Sequence, residues 1–531
     1  MNLRLLQINP IVGDVVGNLA LIKKGWAEAS SDMDLVISPE LAVCGYPPLD
    51  LLKEDSFVYS CMKAVELFAK ESRHAPPLIL GCPWILNNAC YNAAILIEKG
   101  AVAQVFTKRA LPNYDVFDEK RYFVEGHHNN VLTLGRHHLL ITICEDLWVC
   151  SPKQLIGNPS DKPTSLSAII NLSASPYAKS QQNEREGVIA RFAKEANAVV
   201  AYCNQTGANT ELIFDGKSGL YGENGPLSPT PAFKSCTLDI NTSALSCNDQ
   251  VNDPWEEEVL QALTLGTRDY FHKLGLSKAI LGLSGGIDSA LVAYIASLAI
   301  GAKNVLGVLM PSEYSSDHSV TDALNLAQKL GIPTKTLPIQ ACFAKTKASL
   351  QESQASLQPI TEENLQARIR GLLLMGLAND EQRVLINTSN KSEAAVGYTT
   401  IYGDMCGGLS ILGDIWKSEI YSLAHHINQT KEVIPDNILS KPPSAELRPN
   451  QSDTDELPDY ASLDPFLQEI IEGRKTLNSS TTNTLSPEEK KWIYGLIERS
   501  EWKRFQGSPV LRVSHKAFGS GRRIPIVKRR S

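Results

Sequence analysis

Three apolar runs in the first half of the chain each end in a side chain that could do chemistry. The runs DLVISPE, QVFTK and LLITIC end in Glu40, Lys108 and Cys144. Sites collect at the carboxyl ends of strands in α/β folds, so the three side chains could converge. Glu40 could then take the proton of a nucleophilic thiol while Lys108 stabilises a tetrahedral oxyanion. From spacing alone, a buried structural cysteine remains the alternative.

A second candidate site lies in ILGLSGGIDSALVAYIA, where an apolar strand meets a small-residue loop and then a long apolar helix. Two glycines permit close backbone approach, so amide N–H groups, the helix start and the Ser284 and Ser289 hydroxyls could surround a phosphate. No Gly-Lys-Ser/Thr follows, so the loop is not a Walker A motif. Asp288 would repel a phosphate unless a divalent cation lay between them, which predicts Mg²⁺. An ordinary glycine turn is the alternative.

The elements that must position these groups follow an α/β pattern. In the first half, short apolar runs alternate with helical patterns such as 56–71 and 184–197, which predicts stacked α/β layers. In the second half, the strand–loop–helix rhythm from Ile280 predicts a parallel, doubly wound sheet with ligands at the strand carboxyl ends.

The domain boundary falls where the chain becomes polar. NTSALSCNDQVNDPW (241–255) is poor in apolar residues and rich in Asn, Ser and Asp, which indicates a joint. We therefore predict domains at 1–245 and 276–531, with 246–275 as a connecting segment.

Composition narrows the class of protein. The chain has 531 residues, 43% hydrophobic and 21% charged, with a net charge of −7, which disfavours a nucleic-acid-binding surface. We find no signal peptide and no apolar run of about 18 residues that could span a membrane. Eleven cysteines show no zinc-ligand spacing, so we expect reduced thiols in a cytoplasmic protein.

The second half resembles the NAD synthetases within the ATP pyrophosphatase superfamily, which cleave ATP to AMP and pyrophosphate while adenylylating an acid. The blocks that carry the resemblance are SGGIDS, MPSEYSS, ENLQARIRG, NTSNKSE, YGDMCGG, LGDIWKSEIY, PSAELRPNQSDTDELPDY and FGSGRRIPI. The resemblance implies a doubly wound ATP-pyrophosphatase domain acting on deamido-NAD.

Site residues of this half are implied position by position. ATP would lie against Gly282, Leu283, Ser284, Gly285, Gly286, Ile287, Asp288, Ser289, Thr388 and Lys417. Deamido-NAD would contact Asn364, Glu393, Asp404 and Lys503, and Mg²⁺ would lie on Asp288 and Glu393. Trp416 stands where this family more often has proline, which leaves open the backbone path into Lys417.

The first half is similar to the nitrilase superfamily, most closely to its glutaminase domains fused to NAD synthetase. PELAVCGYPPLDLL, KRALPNYDVFDEKRYF and ICEDLW match its three catalytic blocks. The resemblance implies an α/β/β/α sandwich in which Glu40 is the base, Lys108 the oxyanion stabiliser and Cys144 the nucleophile. Glu119 would be a supporting carboxylate that orients Lys108.

Glutamine binding is implied at Tyr114, Ser175 and Gln181. Gln181 is a departure from the family, which usually has a basic residue at this position. Lys179, two residues earlier, is the alternative source of the positive charge. Arg185 keeps the place that the resemblance implies.

Together the resemblances imply that ammonia from glutamine amidates deamido-NAD with Mg-ATP, in a homo-oligomer that is commonly an octamer. Three alternatives remain: another amidating ATP pyrophosphatase of the GMP synthetase kind, a stand-alone amidase with a degenerate second half, and a glutamine- or nucleotide-sensing protein without turnover.

Overall fold

The computed structural model describes residues 1–72, 75–127, 129–156, 165–243, 253–353, 356–444, 446–449 and 451–528. The chain divides into two compact units, Met1–Asn252 and Asp253–Ser531. Of the predicted connecting segment, 246–252 lies outside the described residues, and Trp255–Lys273 forms a helix in the second unit. The domain boundaries therefore stay a prediction. Over the described ranges, no helix is long and apolar enough to cross a bilayer.

The first unit combines two sheets with helices. Its strands are β1 (Asn2–Gln7), β2 (Leu35–Ile37), β3 (Leu78–Leu86), β4 (Ala89–Glu98), β5 (Ala101–Thr107), β6 (Val131–Leu134), β7 (His137–Ile143), β8 (Ala168–Ser173), β9 (Val200–Asn204), β10 (Thr206–Asn209), β11 (Leu212–Asp215), β12 (Gly219–Gly222), β13 (Gly225–Pro229) and β14 (Cys236–Asn241). Its helices are α1 (Val15–Ala27), α2 (Asp55–Ala69), α3 (Asp146–Val149), α4 (Pro152–Ile156) and α5 (Gln181–Ala196).

The layers of this unit form an α/β/β/α sandwich. One sheet has the order β14-β1-β2-β3-β4-β5 and the other β13-β12-β9-β8-β7-β6. Successive side chains of a strand point to opposite faces: in β8, Ile170 and Leu172 belong to the core between the sheets, whereas Ile169 packs with Phe192 of α5. On the other sheet, α1 and α2 share a core with β3 and β4. The predicted sandwich is confirmed.

The second unit is built on a parallel sheet. Its strands are β15 (Ala279–Gly282), β16 (Val305–Leu309), β17 (Thr334–Thr336), β18 (Val384–Asn387) and β19 (Leu409–Ser410). Its helices are α6 (Trp255–Lys273), α7 (Ile287–Ile300), α8 (Asp317–Leu330), α9 (Gln340–Ser353), α10 (Pro359–Asp380), α11 (Lys391–Val396), α12 (Lys417–Thr430), α13 (Asp436–Ser440), α14 (Tyr460–Ile471), α15 (Pro487–Arg499) and α16 (Glu501–Arg504).

The strand order of this sheet fixes where a ligand can bind. The order is β17-β16-β15-β18-β19, and each neighbouring pair is parallel. The order reverses at β15, and in open α/β sheets the crevice beyond the carboxyl ends of the strands at such a switch point binds ligands. The predicted doubly wound sheet is confirmed.

Candidate active sites

Lys108 lies at the centre of a buried charged cluster in the first unit. Its Nζ atom donates to Glu40 Oε1 at 2.7 Å and to the two Glu119 carboxylate oxygens at 2.8 and 2.9 Å. The side chain of Lys108 is 1% exposed, those of Glu40 and Glu119 1% and 6%. The structure thus brings together three of the four side chains predicted for catalysis.

Neighbouring groups hold the two carboxylates in place. Asn92 Nδ2 donates to Glu40 Oε1 at 2.7 Å, and the backbone N–H of Ala174 donates to Glu40 Oε2 at 3.0 Å. The Tyr46 hydroxyl donates to Glu119 Oε1 at 2.9 Å. The sequence motifs assign no role to Asn92 or Tyr46. Asn92 lies inside β4, where nothing local distinguishes it from any other strand residue, whereas Tyr46 falls within a matched block.

Cys144, the fourth predicted catalytic residue, directly follows β7. Its φ angle is +42°, in the left-handed region, and its N–H donates to Leu172 O at 2.9 Å. Burial raises the pKa of its thiol well above the usual value; Glu40 raises it further, and Lys108 lowers it. The resting thiol is therefore protonated at neutral pH and needs a base to become a nucleophile.

The cluster keeps Lys108 charged. Burial lowers the pKa of its amine, but Glu119 and Glu40 outweigh that effect and raise the pKa well above the usual value. Burial raises the pKa of Glu119 to about 7, against the opposing influence of Lys108. A permanently charged ammonium beside a thiol is suited to stabilising an oxyanion.

The predicted glutamine-binding residues lie in three different settings. The exposed Tyr114 donates its hydroxyl hydrogen to Glu145 Oε1 at 3.1 Å, and Glu145 directly follows Cys144. Ser175 is buried, and its N–H donates to Asn204 Oδ1 at 2.9 Å. Gln181 begins α5. The sequence motifs assign Glu145 no role, although its place beside the predicted nucleophile is a signal.

The two basic residues near Gln181 also differ in setting. Lys179 is half-buried and precedes α5. Arg185 is buried and makes a two-pronged ion pair with Asp215, at 2.9 and 2.5 Å. This ion pair holds the Arg185 side chain in the interior of the first unit.

In the second unit, the glycine loop joins β15 to α7 at the switch point. Gly285 has a φ of +78°, and a Cβ atom there would lie 2.3 Å from Ser319 O. Inside the loop, the Gly286 N–H donates to Ser284 Oγ at 3.2 Å, and Ser284 Oγ lies 3.1 Å from Ser289 Oγ. The turn therefore requires glycine at position 285 for both its backbone angle and its space.

A cavity of about 300 Å³ opens beside this loop. The residues of the predicted ATP site all line it: 282–289, Thr388 and Lys417. Glu393 and Asp404 line it as well. Its position at the carboxyl ends of β15, β16 and β18 matches the ligand crevice of a doubly wound sheet.

Asp288, Glu393 and Lys417 meet on one wall of the cavity. Lys417 Nζ contacts Asp288 Oδ2 and lies 3.7 Å from Glu393 Oε1. Asn390 joins the two carboxylates, because its Nδ2 donates to Asp288 Oδ1 at 2.8 Å and its N–H donates to Glu393 Oε2 at 3.3 Å. Burial, followed by the charge of Asp288, raises the pKa of Glu393 to about 8. The sequence motifs assign no role to Asn390.

Asn364 and Lys503 are not among the cavity-lining residues, but they converge with Asp404 on the segment 397–400. Lys503 Nζ donates to Gly397 O at 2.8 Å and to Thr399 O at 2.7 Å. Asn364 Oδ1 accepts from the Thr400 hydroxyl at 2.7 Å, and Asp404 Oδ1 accepts from the Thr400 N–H at 2.6 Å.

The backbone angles at position 416, directly before Lys417, suit either tryptophan or proline. Trp416 has φ −71° and ψ 149°, angles that proline also adopts. Its buried indole donates to Glu472 Oε1 at 2.9 Å, and its backbone N–H donates to Glu419 Oε2 at 3.3 Å. The departure from proline therefore leaves the backbone direction at Lys417 unchanged.

Comparison with known proteins extends over both units. The family model for carbon-nitrogen hydrolases matches residues 2–240, and that for NAD synthase matches residues 259–507. A glutamine-dependent NAD(+) synthetase of Synechocystis sp. is 41% identical, over 99% of this chain and 98% of the relative. The chain belongs to the glutamine-dependent NAD(+) synthetase family.

Other glutamine-dependent NAD(+) synthetases are similar to this chain along nearly their whole length. The enzyme of Thermotoga maritima is 36% identical over 100% of this chain and 99% of its own. The solved structure of the Acinetobacter baumannii enzyme, in complex with adenosine diphosphate, is 34% identical with a TM-score of 0.78 and covers 99% of this chain and 98% of that chain. The alternatives of a stand-alone amidase and of a GMP synthetase-like enzyme are therefore set aside.

Proposed function

We propose that the chain converts deamido-NAD, ATP, glutamine and water into NAD, AMP, pyrophosphate and glutamate. The observation that carries the proposal is the end-to-end similarity to glutamine-dependent NAD(+) synthetases, which extends over both candidate sites. Each site supplies the groups that one half of this reaction needs.

In the first unit, Glu40 would accept the Cys144 thiol proton as the sulfur attacks the side-chain amide carbon of glutamine. Lys108 would donate hydrogen bonds to the resulting oxyanion. Collapse of the tetrahedral intermediate breaks the C–N bond, and the proton held by Glu40 passes to the departing ammonia. Water, deprotonated by Glu40, would then hydrolyse the thioester to glutamate. The buried Glu40–Lys108 contact at 2.7 Å supports these roles.

Glu119 would fix the direction of the Lys108 ammonium through its two short hydrogen bonds. Glu145 and the hydroxyl of Tyr114 form a polar pair next to Cys144. The α-ammonium group of glutamine needs such an anionic partner, so we assign Tyr114 to glutamine binding together with Glu145. Ser175 and Gln181 stay predictions.

In the second unit, the carboxylate of the nicotinate ring would attack the α-phosphorus of ATP, which releases pyrophosphate and leaves an acyl-adenylate. Ammonia would then displace AMP from the acyl carbon to give the amide of NAD. The loop 282–289 offers N–H groups and hydroxyls for the phosphates, with the ammonium of Lys417 beside them. The adenosine diphosphate complex of the Acinetobacter baumannii relative supports ATP as the nucleotide.

The residues present fit a magnesium ion. Asp288 and Glu393 are carboxylates on either side of Lys417, and carboxylate oxygens with phosphate oxygens are the ligands that Mg²⁺ takes in nucleotide sites. Asp288 and Glu393 would hold the ion, which when bound neutralises charge on the pyrophosphate leaving group. Burial, followed by the charge of Asp288, raises the pKa of Glu393 to about 8, and a divalent cation beside it would favour its ionised form.

Deamido-NAD would lie next to ATP, near the segment that Asn364, Asp404 and Lys503 surround. Lys503 and Asn364 already hydrogen-bond to that segment. They would therefore act on the substrate partly by fixing the protein backbone of residues 397–400. Cytoplasmic location and a homo-oligomer, an octamer by resemblance, stay predictions.

The test compares the native protein with Cys144→Ala, each supplied with deamido-NAD and Mg-ATP and either glutamine or ammonium. NAD and AMP are measured. We expect Cys144→Ala to lose only the glutamine-driven reaction. Native protein that makes no NAD from either nitrogen source would contradict the proposal and favour a binding protein without turnover.

A further inference from the structure

Asp146 presents a buried carboxylate to two separate stretches of backbone in the first unit. Its Oδ1 atom accepts from the N–H groups of Arg109 and Ala110, at 3.0 and 2.8 Å. Its Oδ2 atom accepts from the N–H of Ile143 at 2.9 Å. The residue has no solvent exposure.

Both stretches carry a reacting side chain. Arg109 and Ala110 directly follow Lys108, and Ile143 directly precedes Cys144. Cys144 has a φ of +42°, a conformation that a residue with a side chain keeps only where its surroundings hold it. The carboxylate of Asp146 therefore joins the backbone that carries the ammonium to the backbone that carries the thiol.

The donor set calls for a carboxylate. Three N–H groups point at the two oxygens of Asp146, and a carboxylate accepts hydrogen bonds on both. An asparagine amide would accept on one atom only and would turn an N–H₂ group toward at least one of the backbone donors. Burial raises the pKa of Asp146 to about 6, and the hydrogen bonds from Ile143 and Ala110 oppose that rise.

We propose that Asp146 is a positioning residue for glutamine hydrolysis, whose carboxylate sets the separation between the Lys108 ammonium and the Cys144 thiol. The inference rests on the proposed function. It goes beyond a structural role, because it requires that Lys108 shift relative to Cys144 when the carboxylate is lost, while the fold persists.

The experiment uses the full-length chain with Asp146→Asn and the control Asp239→Asn. Asp239 is a carboxylate of β14 that pairs with Arg4. The control therefore shows how far glutamine-driven kcat and KM change when any paired carboxylate of this unit is lost. Ammonium-driven NAD formation shows that the second unit is folded, and urea unfolding compared with the native protein shows whether the first unit is folded. Glutamine-driven kcat and KM are measured, and iodoacetamide alkylation of Cys144 is followed by peptide mass spectrometry from pH 6 to 10, with Cys144→Ala as the blank.

For Asp146→Asn we expect an unchanged ammonium-driven rate, a fall of about 100-fold in glutamine-driven kcat, and a KM for glutamine close to that of the native protein. At each pH in this range, alkylation should be about tenfold slower than in the native protein, because Lys108 lowers the pKa of the thiol and would be displaced. Loss of a negative charge alone would lower the pKa of the thiol and speed its alkylation, so a slower rate reports displacement of Lys108. The charged groups that act on the thiol are Glu40, Lys108, Glu145 and Glu119.

Two results would overturn the inference. One is a native kcat in Asp146→Asn; the other is a lower final yield of alkylation at a native rate, which would mean that Asp146 only supports the fold. If Asp146→Asn does not fold, Asp146→Ser, whose hydroxyl can still accept one of the three N–H groups, is measured in the same way. Glutamine-driven activity that survives Cys144→Ala would instead contradict the proposed function itself.

Discussion

Lys108 donates to both carboxylate oxygens of Glu119, at 2.8 and 2.9 Å, and this pair is enclosed by protein. Glu119 also accepts from the Tyr46 hydroxyl at 2.9 Å and, more weakly, from Asn92 Nδ2 at 3.4 Å. Two parallel hydrogen bonds fix the direction of the lysine side chain more tightly than one can. Glu119 therefore determines where the positive charge of Lys108 lies.

Replacing Glu119 by glutamine should impair the first unit alone. Glu119→Gln removes one of the two charges that orient Lys108, so we expect the glutamine-driven kcat to fall by about 100-fold. Ammonium-driven NAD formation should stay as in the native protein. Glu125→Gln is the matched control, because Glu125 pairs with Lys120 on the surface. A native rate in Glu119→Gln would show that Glu40 alone positions the lysine.

Glycine 285 should not tolerate a side chain. Gly285→Ala places a Cβ 2.3 Å from Ser319 O at a φ of +78°, so we expect a loss of at least ~1 kcal/mol in stability and loss of NAD formation with either nitrogen source. Gly376→Ala is the control: it lies inside α10 with nothing within 4 Å of its Cβ. That change should stabilise the chain slightly. Urea unfolding and the two synthesis assays are the measurements, and an active Gly285→Ala protein would refute the role of the loop.

Substitution of Trp416 should separate backbone from side-chain effects. Trp416→Phe loses the hydrogen bond to Glu472 and should cost about 1 kcal/mol. Trp416→Pro keeps the φ angle but removes the indole that Lys391 Nζ faces at 4.7 Å from the ring centroid, so it should cost about 3–5 kcal/mol. Urea unfolding measures both. Equal stability of the proline variant and the native protein would mean that the indole packing contributes nothing.

The pKa of Glu393 predicts a dependence of stability on pH. Its pKa is raised from 4.5 to about 8 by burial and Asp288, so the folded state binds this proton more tightly than the unfolded chain does. The stabilisation is complete below pH 4.5 and is lost as the pH rises through 8. In EDTA, the free energy of unfolding of the native protein should therefore fall between pH 6 and pH 9, by on the order of 2 kcal/mol more than that of Glu393→Gln.

Urea unfolding at the two pH values gives this difference. Glu488→Gln, at an exposed position in the first turn of α15, is the control and should follow the native protein. Parallel pH dependence in the native protein and Glu393→Gln would show that Glu393 titrates at an ordinary value.

By itself, the sequence determined the two α/β architectures and several of the reactive side chains. Apolar runs and turn residues are local signals, so strands such as β7 and β8 and the loop between β15 and α7 could be read from neighbouring residues. Cys144, Lys108 and Asp288 could be proposed because each ends a strand or begins a helix.

Only the tertiary structure decided which groups support them. The N–H of Ala174 reaches Glu40 across 134 positions of the chain, and Asn390 reaches Asp288 across 102. Asn92 and Tyr46 belong to the same category, and so do the contacts of Asp146 with Arg109 and Ala110, since these partners come from other strands and loops. Such contacts depend on how sheets stack and strands order themselves, and no short stretch of sequence contains the partners on both sides of the contact.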